Sequence, residues 1–196
     1  AGLAEALGDW LPFWKRELDL VALGWADGAN LAEALGGYRA RLLLAGAAAG
    51  GTASVSAAPA RYVLAGEALD LGDGVRLEVL APAAGREGQG AGLTLRLDYG
   101  ELGLLLLGAA GPEAEAALLA SGRPLEADLL WTAGAAGEAL LAAVRPQVVV
   151  YTGAGPAGPD LLGWAAAGGA SLVSPAEPGE VELVSDGRAI WWAGRR

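Results

Sequence analysis

The chain has 196 residues, 54% of them apolar, enough for one well-buried core. A formal charge of −10 opposes the phosphate neutralisation on which nucleic-acid affinity rests, leaving Arg188, Arg195 and Arg196 as a local basic cluster. Histidine, cysteine and methionine are all absent, which excludes disulfides, thiolate or imidazole metal sites and histidine general bases; it leaves the redox compartment open.

In chain order, Ala1–Gly8 has helical composition, and Trp10-Leu-Pro-Phe-Trp14 follows as an apolar linker. Leu18–Leu23 reads as a buried strand stopped by Gly24, and Asn30–Leu35 as a helix ended by Gly36-Gly37. Arg41–Leu44 is a second strand, and the small residues of Ala45–Ala60 predict a mobile loop. Ala68–Leu71, the turn signal Gly72-Asp-Gly74 and the alternating Val75–Leu80 predict a hairpin. A polar loop over Gly85–Gly92 leads to strands at Leu93–Tyr99 and Gly103–Leu107.

Beyond Gly111-Pro112, helices and strands alternate: helix Glu113–Ala120, strand Asp128–Trp131, helix Gly137–Val144, strand Gln147–Tyr151, helix Pro159–Ala167 and strand Ala170–Val173. Proline at the start and acids in the first turn suit the first of these helices. A closing hairpin pairs Val181–Val184 with Ala189–Trp192 around Asp186-Gly187. The mixture predicts an α/β sandwich in a single domain over residues 1–196. The longest apolar runs, such as Leu102–Leu107, fall far short of the roughly 20 residues of a bilayer-spanning helix.

Motifs that could carry chemistry are weak. Gly108-Ala-Ala-Gly111 and Gly153-Ala-Gly155 follow strands but match no phosphate-binding fingerprint, and the only lysine, Lys15, follows neither. Without an imidazole there is no serine triad. The carboxylate pairs Asp70/Asp73 and Glu180/Glu182 fall on turns and alternating strands, where solvent-facing charge is the ordinary outcome. Seven tryptophans are expected in the core or against a partner domain rather than as stacking platforms for bases, because positive charge is scarce around them.

The order of segments resembles metallo-β-lactamase-fold proteins, and most closely the C-terminal domain of the ComEC-type competence proteins, the DNA-uptake channels of transformable bacteria. Leu11-Pro-Phe-Trp14 with Leu18–Leu23, Leu69–Pro82, Leu93–Gly100, Ala142–Tyr151 and Ser185–Trp191 all look like that framework. The family's motifs are altered. Where it has Thr-His-x-Asp/His-x-Asp-His, this chain reads Gly24-Trp-Ala-Asp-Gly-Ala-Asn30. Trp25 stands at the first histidine, Ala29 at the metal-binding aspartate and Asn30 at the last histidine, and only Asp27 keeps a ligand-capable type. Leu105-Leu-Leu-Gly-Ala109 replaces the bridging carboxylate by Ala109, Asp128–Gly137 puts Gly134 at the next histidine, and the late Gly-His-Pro is gone from Ala154–Pro159.

The resemblance thus implies an αββα sandwich with mixed sheets, lacking the family's first strands, whose absence would leave an edge and an apolar face for another domain or a second copy. It further implies a domain without metal, cofactor, catalytic residue or small-molecule substrate. Its setting would be a soluble domain of a bacterial cytoplasmic-membrane protein, on an unassigned side, partnered by other domains of that channel protein. Weak passive binding of single-stranded DNA and a residual carboxylate–metal phosphodiesterase site around Asp27 are the alternatives.

Overall fold

A computed structural model describes residues 3–22, 31–46, 59–82, 93–108, 110–153, 155–168, 170–175 and 180–195. The chain forms two compact units, Ala1–Leu64 with Pro82–Leu93, and Ala65–Ala81 with Thr94–Arg196.

The first unit holds α1 (Leu3–Trp10), β1 (Glu17–Ala22), α2 (Leu31–Leu35), β2 (Arg39–Gly46) and β3 (Ala60–Val63). Its three strands run parallel in the order β1-β2-β3, with Leu18 beside Ala40 and Leu43 beside Ala60. The central strand, β2, is buried from Leu43 onward, as parallel strands covered on both faces are. Leu31, Leu35, Tyr38 and Leu43 make the core here, with Leu7, Leu11, Leu18 and Val21 packed against it. The two glycines after α2 take positive φ, 54° at Gly36 and 96° at Gly37, and end the helix where the sequence indicates.

Strand β3 corrects the expected loop over Ala45–Ala60, because Ala45 and Gly46 still belong to β2 and Ala60 already to β3. Only four residues long, with Val63 buried and Arg61 exposed, β3 is too short to show a period. Pro59 lies just before β3, its carbonyl accepting from Leu43 N at 3.1 Å, while residues 47–58 lie outside the described residues, as does the loop expected over Gly85–Gly92.

The second unit is built on a seven-stranded sheet whose strands are β4 (Ala68–Gly72), β5 (Val75–Pro82), β6 (Leu93–Tyr99), β7 (Leu102–Gly108), β8 (Leu129–Thr132), β9 (Val148–Tyr151) and β10 (Ser171–Val173). Their order is β10-β9-β8-β7-β6-β5-β4. The run from β7 to β10 is parallel, while β6 with β7 and β4 with β5 are antiparallel. The expected hairpin is present: Gly72, Asp73 and Gly74 all take positive φ, and Gly72 N donates to Asp70 Oδ1 at 2.9 Å.

Between the parallel strands run α3 (Pro112–Ala120), α4 (Glu138–Val144) and α5 (Pro159–Gly168). One face of the sheet and these helices share a core of Leu105, Leu107, Leu130, Val149, Leu118, Leu140, Leu141 and Leu161. Leu77, Val79, Leu95, Leu129 and Val150 are buried as well. The hairpin of β11 (Glu180–Ser185) and β12 (Ile190–Arg195) is a separate two-stranded ribbon. Its turn is pinned by Glu101 N donating to Gly187 O at 2.7 Å.

Candidate functional site at the carboxyl ends of the parallel strands

In open α/β sheets the natural site lies beyond the carboxyl ends of the parallel strands, where chains turn into helices. On this rim β7 delivers Gly108, then Ala110 and Gly111; β8 delivers Thr132, Ala133 and Gly134; β9 delivers Tyr151, Thr152 and Gly153. Backbone bonds lace the strands together to their ends, with Ala133 N donating to Gly108 O at 2.8 Å and Thr152 N to Thr132 O at 2.9 Å.

The polar side chains of the rim are already committed. Thr132 is fully buried; its Oγ1 accepts from Gly134 N at 3.1 Å and lies 3.1 Å from Gly134 O, to which it donates. Trp131 Nε1 donates to Thr152 Oγ1 at 3.1 Å, and Tyr151 Oη donates to Pro156 O at 3.4 Å. A side chain at Gly153 would collide with that tyrosine hydroxyl and with Ala133 O, so the close approach of the ring requires glycine there.

Of the six positions singled out by the resemblance, Trp25, Asp27, Ala29, Asn30 and Ala109 lie outside the described residues. Gly134 sits on the rim, in a tight turn capped by Thr132. The donor set of the described rim does not fit a metal. It offers hydroxyls engaged in their own bonds, with neither imidazole nor thiolate, and among the described residues no three acidic side chains converge.

Glu115, on the first turn of α3, is the group that sequence reading missed. It is buried, and its Oε2 accepts from Gly137 N, the N-cap residue of α4, at 3.0 Å. Gly137 has no side chain to cap α4, so a carboxylate from the neighbouring helix stands close to its start. Burial raises the Glu115 pKa above the ordinary carboxylate value; the Gly137 N–H opposes the shift, and the negative charge of Asp160 adds to it. The available signal was spacing, since Glu115 and Leu118 are three residues apart on one helical face and both are buried.

At the opposite, amino ends of β7 and β8 lies a cleft of about 550 Å³ lined by Arg96, Glu101, Glu126, Asp128 and Arg145. Its charges largely satisfy one another. Arg96 Nε bonds Asp98 Oδ1 at 2.8 Å and its Nη1 bonds Glu126 O at 2.6 Å, while Arg145 pairs with Glu126. Asp128 accepts from Gly103 N and Gln147 Nε2, both at 2.9 Å. This network holds strand ends together and presents no directed reactive group.

Core packing accounts for one described tryptophan, and the exposure of the others agrees with the partner-domain half of the expectation. Trp10, Trp14, Trp131, Trp191 and Trp192 are exposed, and of the described tryptophans Trp164 alone packs against the core. The neighbours Trp191 and Trp192 point to opposite faces of a two-stranded ribbon, which cannot cover both.

No family model matches the chain, and neither does any curated protein. Among solved structures it is similar to Tm1679, a metal-dependent hydrolase of the β-lactamase superfamily. That likeness has a TM-score of 0.50 and 12% identity, and covers 87% of this chain and 79% of the other. At that identity the likeness speaks for architecture alone: this chain has a mixed α/β fold of the metallo-β-lactamase type.

Proposed function

We propose that this chain is a catalytically inert metallo-β-lactamase-like domain with a structural or interaction role in a DNA-uptake protein of the ComEC type, seated in a bacterial cytoplasmic membrane and contacting other domains of that protein. The observation that carries the reading is the described rim of β7, β8 and β9, whose hydroxyls are bonded to neighbouring groups of the rim in a chain without a single histidine. Activating water for phosphodiester hydrolysis needs a metal ligand set or a base placed at the reacting atoms, and the described rim supplies neither. The framework resemblance supplies the uptake context. Among the described residues no helix is long and apolar enough to cross a membrane.

A second reading, passive binding of single-stranded DNA, draws on the exposed Trp191 and Trp192 near Arg188. One experiment addresses both readings: the purified chain is incubated with labelled single-stranded DNA and Mn²⁺ or Zn²⁺, at low and at high salt. The expected result is uncut DNA that the protein does not retain. Metal-dependent cleavage would contradict the inert reading, and retention that falls steeply with salt would favour the second.

A further inference from the structure

We propose that the turn following α1 is a bilayer-docking element that seats Phe13 and Trp14 among lipid headgroups, with Lys15 and Arg16 against lipid phosphate. Phe13 is 78% exposed and Trp14 72%, the highest values among the exposed large apolar residues, and Pro12, Lys15 and Arg16 are exposed beside them. The two rings meet edge to face, 4.8 Å between centroids.

This tip is held out by a fixed base. Leu11 N donates to Leu7 O at 2.9 Å, continuing α1, and both leucines pack on the core of the first unit. Lys15 N closes the turn on Pro12 O at 2.8 Å, and Arg39 N ties Arg16 O to the sheet at 2.9 Å. The Arg16 guanidinium lies 4.9 Å over the ring of Tyr38, which is buried. Two aromatic rings therefore stay in water because the backbone keeps them there.

Charge selects the occupant. The first unit holds six basic and seven acidic residues, the second seven basic and sixteen acidic, so nearly all the net negative charge belongs to the second. The sole lysine and an arginine follow directly on the exposed rings, in the unit that is close to neutral. Tryptophan favours the headgroup layer, where its ring is shielded and its N–H stays wet, and adjacent cations meet phosphate there. A protein partner of ordinary interface size engages roughly 20 or more residues on each side; a projecting five-residue tip is a poor match. A DNA strand requires an extended basic groove, whereas the basic run here is two residues long.

The test is sedimentation of the full chain with vesicles of phosphatidylcholine carrying a minority of phosphatidylglycerol. Wild type should partition onto them, and F13A/W14A should lower the partition about tenfold or more. K15A/R16A should weaken it only on the anionic vesicles and at low salt, and W191A/W192A should leave it unchanged. Because both rings are exposed, their loss does not remove core. A wild type that stays off both kinds of vesicle overturns the proposal, as does an F13A/W14A variant that binds like wild type. Dependence on the same two rings for single-stranded DNA retention, with no vesicle binding, also overturns it. The proposal does not depend on whether the strand rim is inert, so either can fail without the other.

Discussion

At the scale of single residues, Glu115 shows how far a side chain's role depends on neighbours that sequence does not place. Read in order, Pro112-Glu-Ala-Glu115 is an acidic first turn suited to the helix dipole. In three dimensions Glu115 faces inward and binds the start of the next helix. Its pKa is higher folded than the ordinary 4.5, so the folded chain keeps a proton that the unfolded chain has released. Its contribution to stability is fully present below about pH 4.5 and is lost as pH rises through the raised value. E115Q, which can still accept from Gly137 N, should flatten this part of the stability curve. Urea unfolding across that pH window checks it, and an E115Q curve parallel to wild type would contradict the assignment. Gly134 has a local account, since its N–H donates to the buried Thr132 Oγ1 at 3.1 Å in the turn after β8.

Among the elements, the strands of the second unit were readable because continuous or alternating apolar runs leave few alternatives. Leu102–Gly108 is buried or half-buried along its length, and Val75–Leu80 alternates cleanly. What escaped were features decided by tertiary contact: the four-residue β3, the last turn of α1 running through Trp10, and which of the tryptophans are exposed. Trp191 and Trp192 look like core by composition, yet adjacent strand residues face opposite ways, and only a covering layer could bury both. A two-stranded ribbon is marginal by itself in water, and Val184, Trp191 and Trp192 are all exposed on β11–β12. Hydrogen exchange read by mass spectrometry should therefore find the β11–β12 amides exchanging at least about tenfold faster than those of β7–β9. Equal protection in the two segments would mean that the ribbon is held by more than its own pairing and its pinned turn.

For the molecule as a whole, the architecture and the composition are separate observations. Strand order, a mixed sheet and a structural likeness at 12% identity give the metallo-β-lactamase-type fold, while histidine and cysteine are missing from the composition. Composition could exclude imidazole and thiolate ligands outright, but not the possibility that carboxylates and hydroxyls had taken over. On the described rim the hydroxyls of Thr132 and Thr152 are bonded to neighbouring groups of the rim itself. The proposed inert role therefore turns on cation binding. Isothermal titration of the intact chain with Zn²⁺ and with Mn²⁺ at neutral pH measures it most directly. The expected result is no saturable heat for either ion. Stoichiometric binding abolished by Asp27→Ala would contradict it and restore a carboxylate metal centre to this fold.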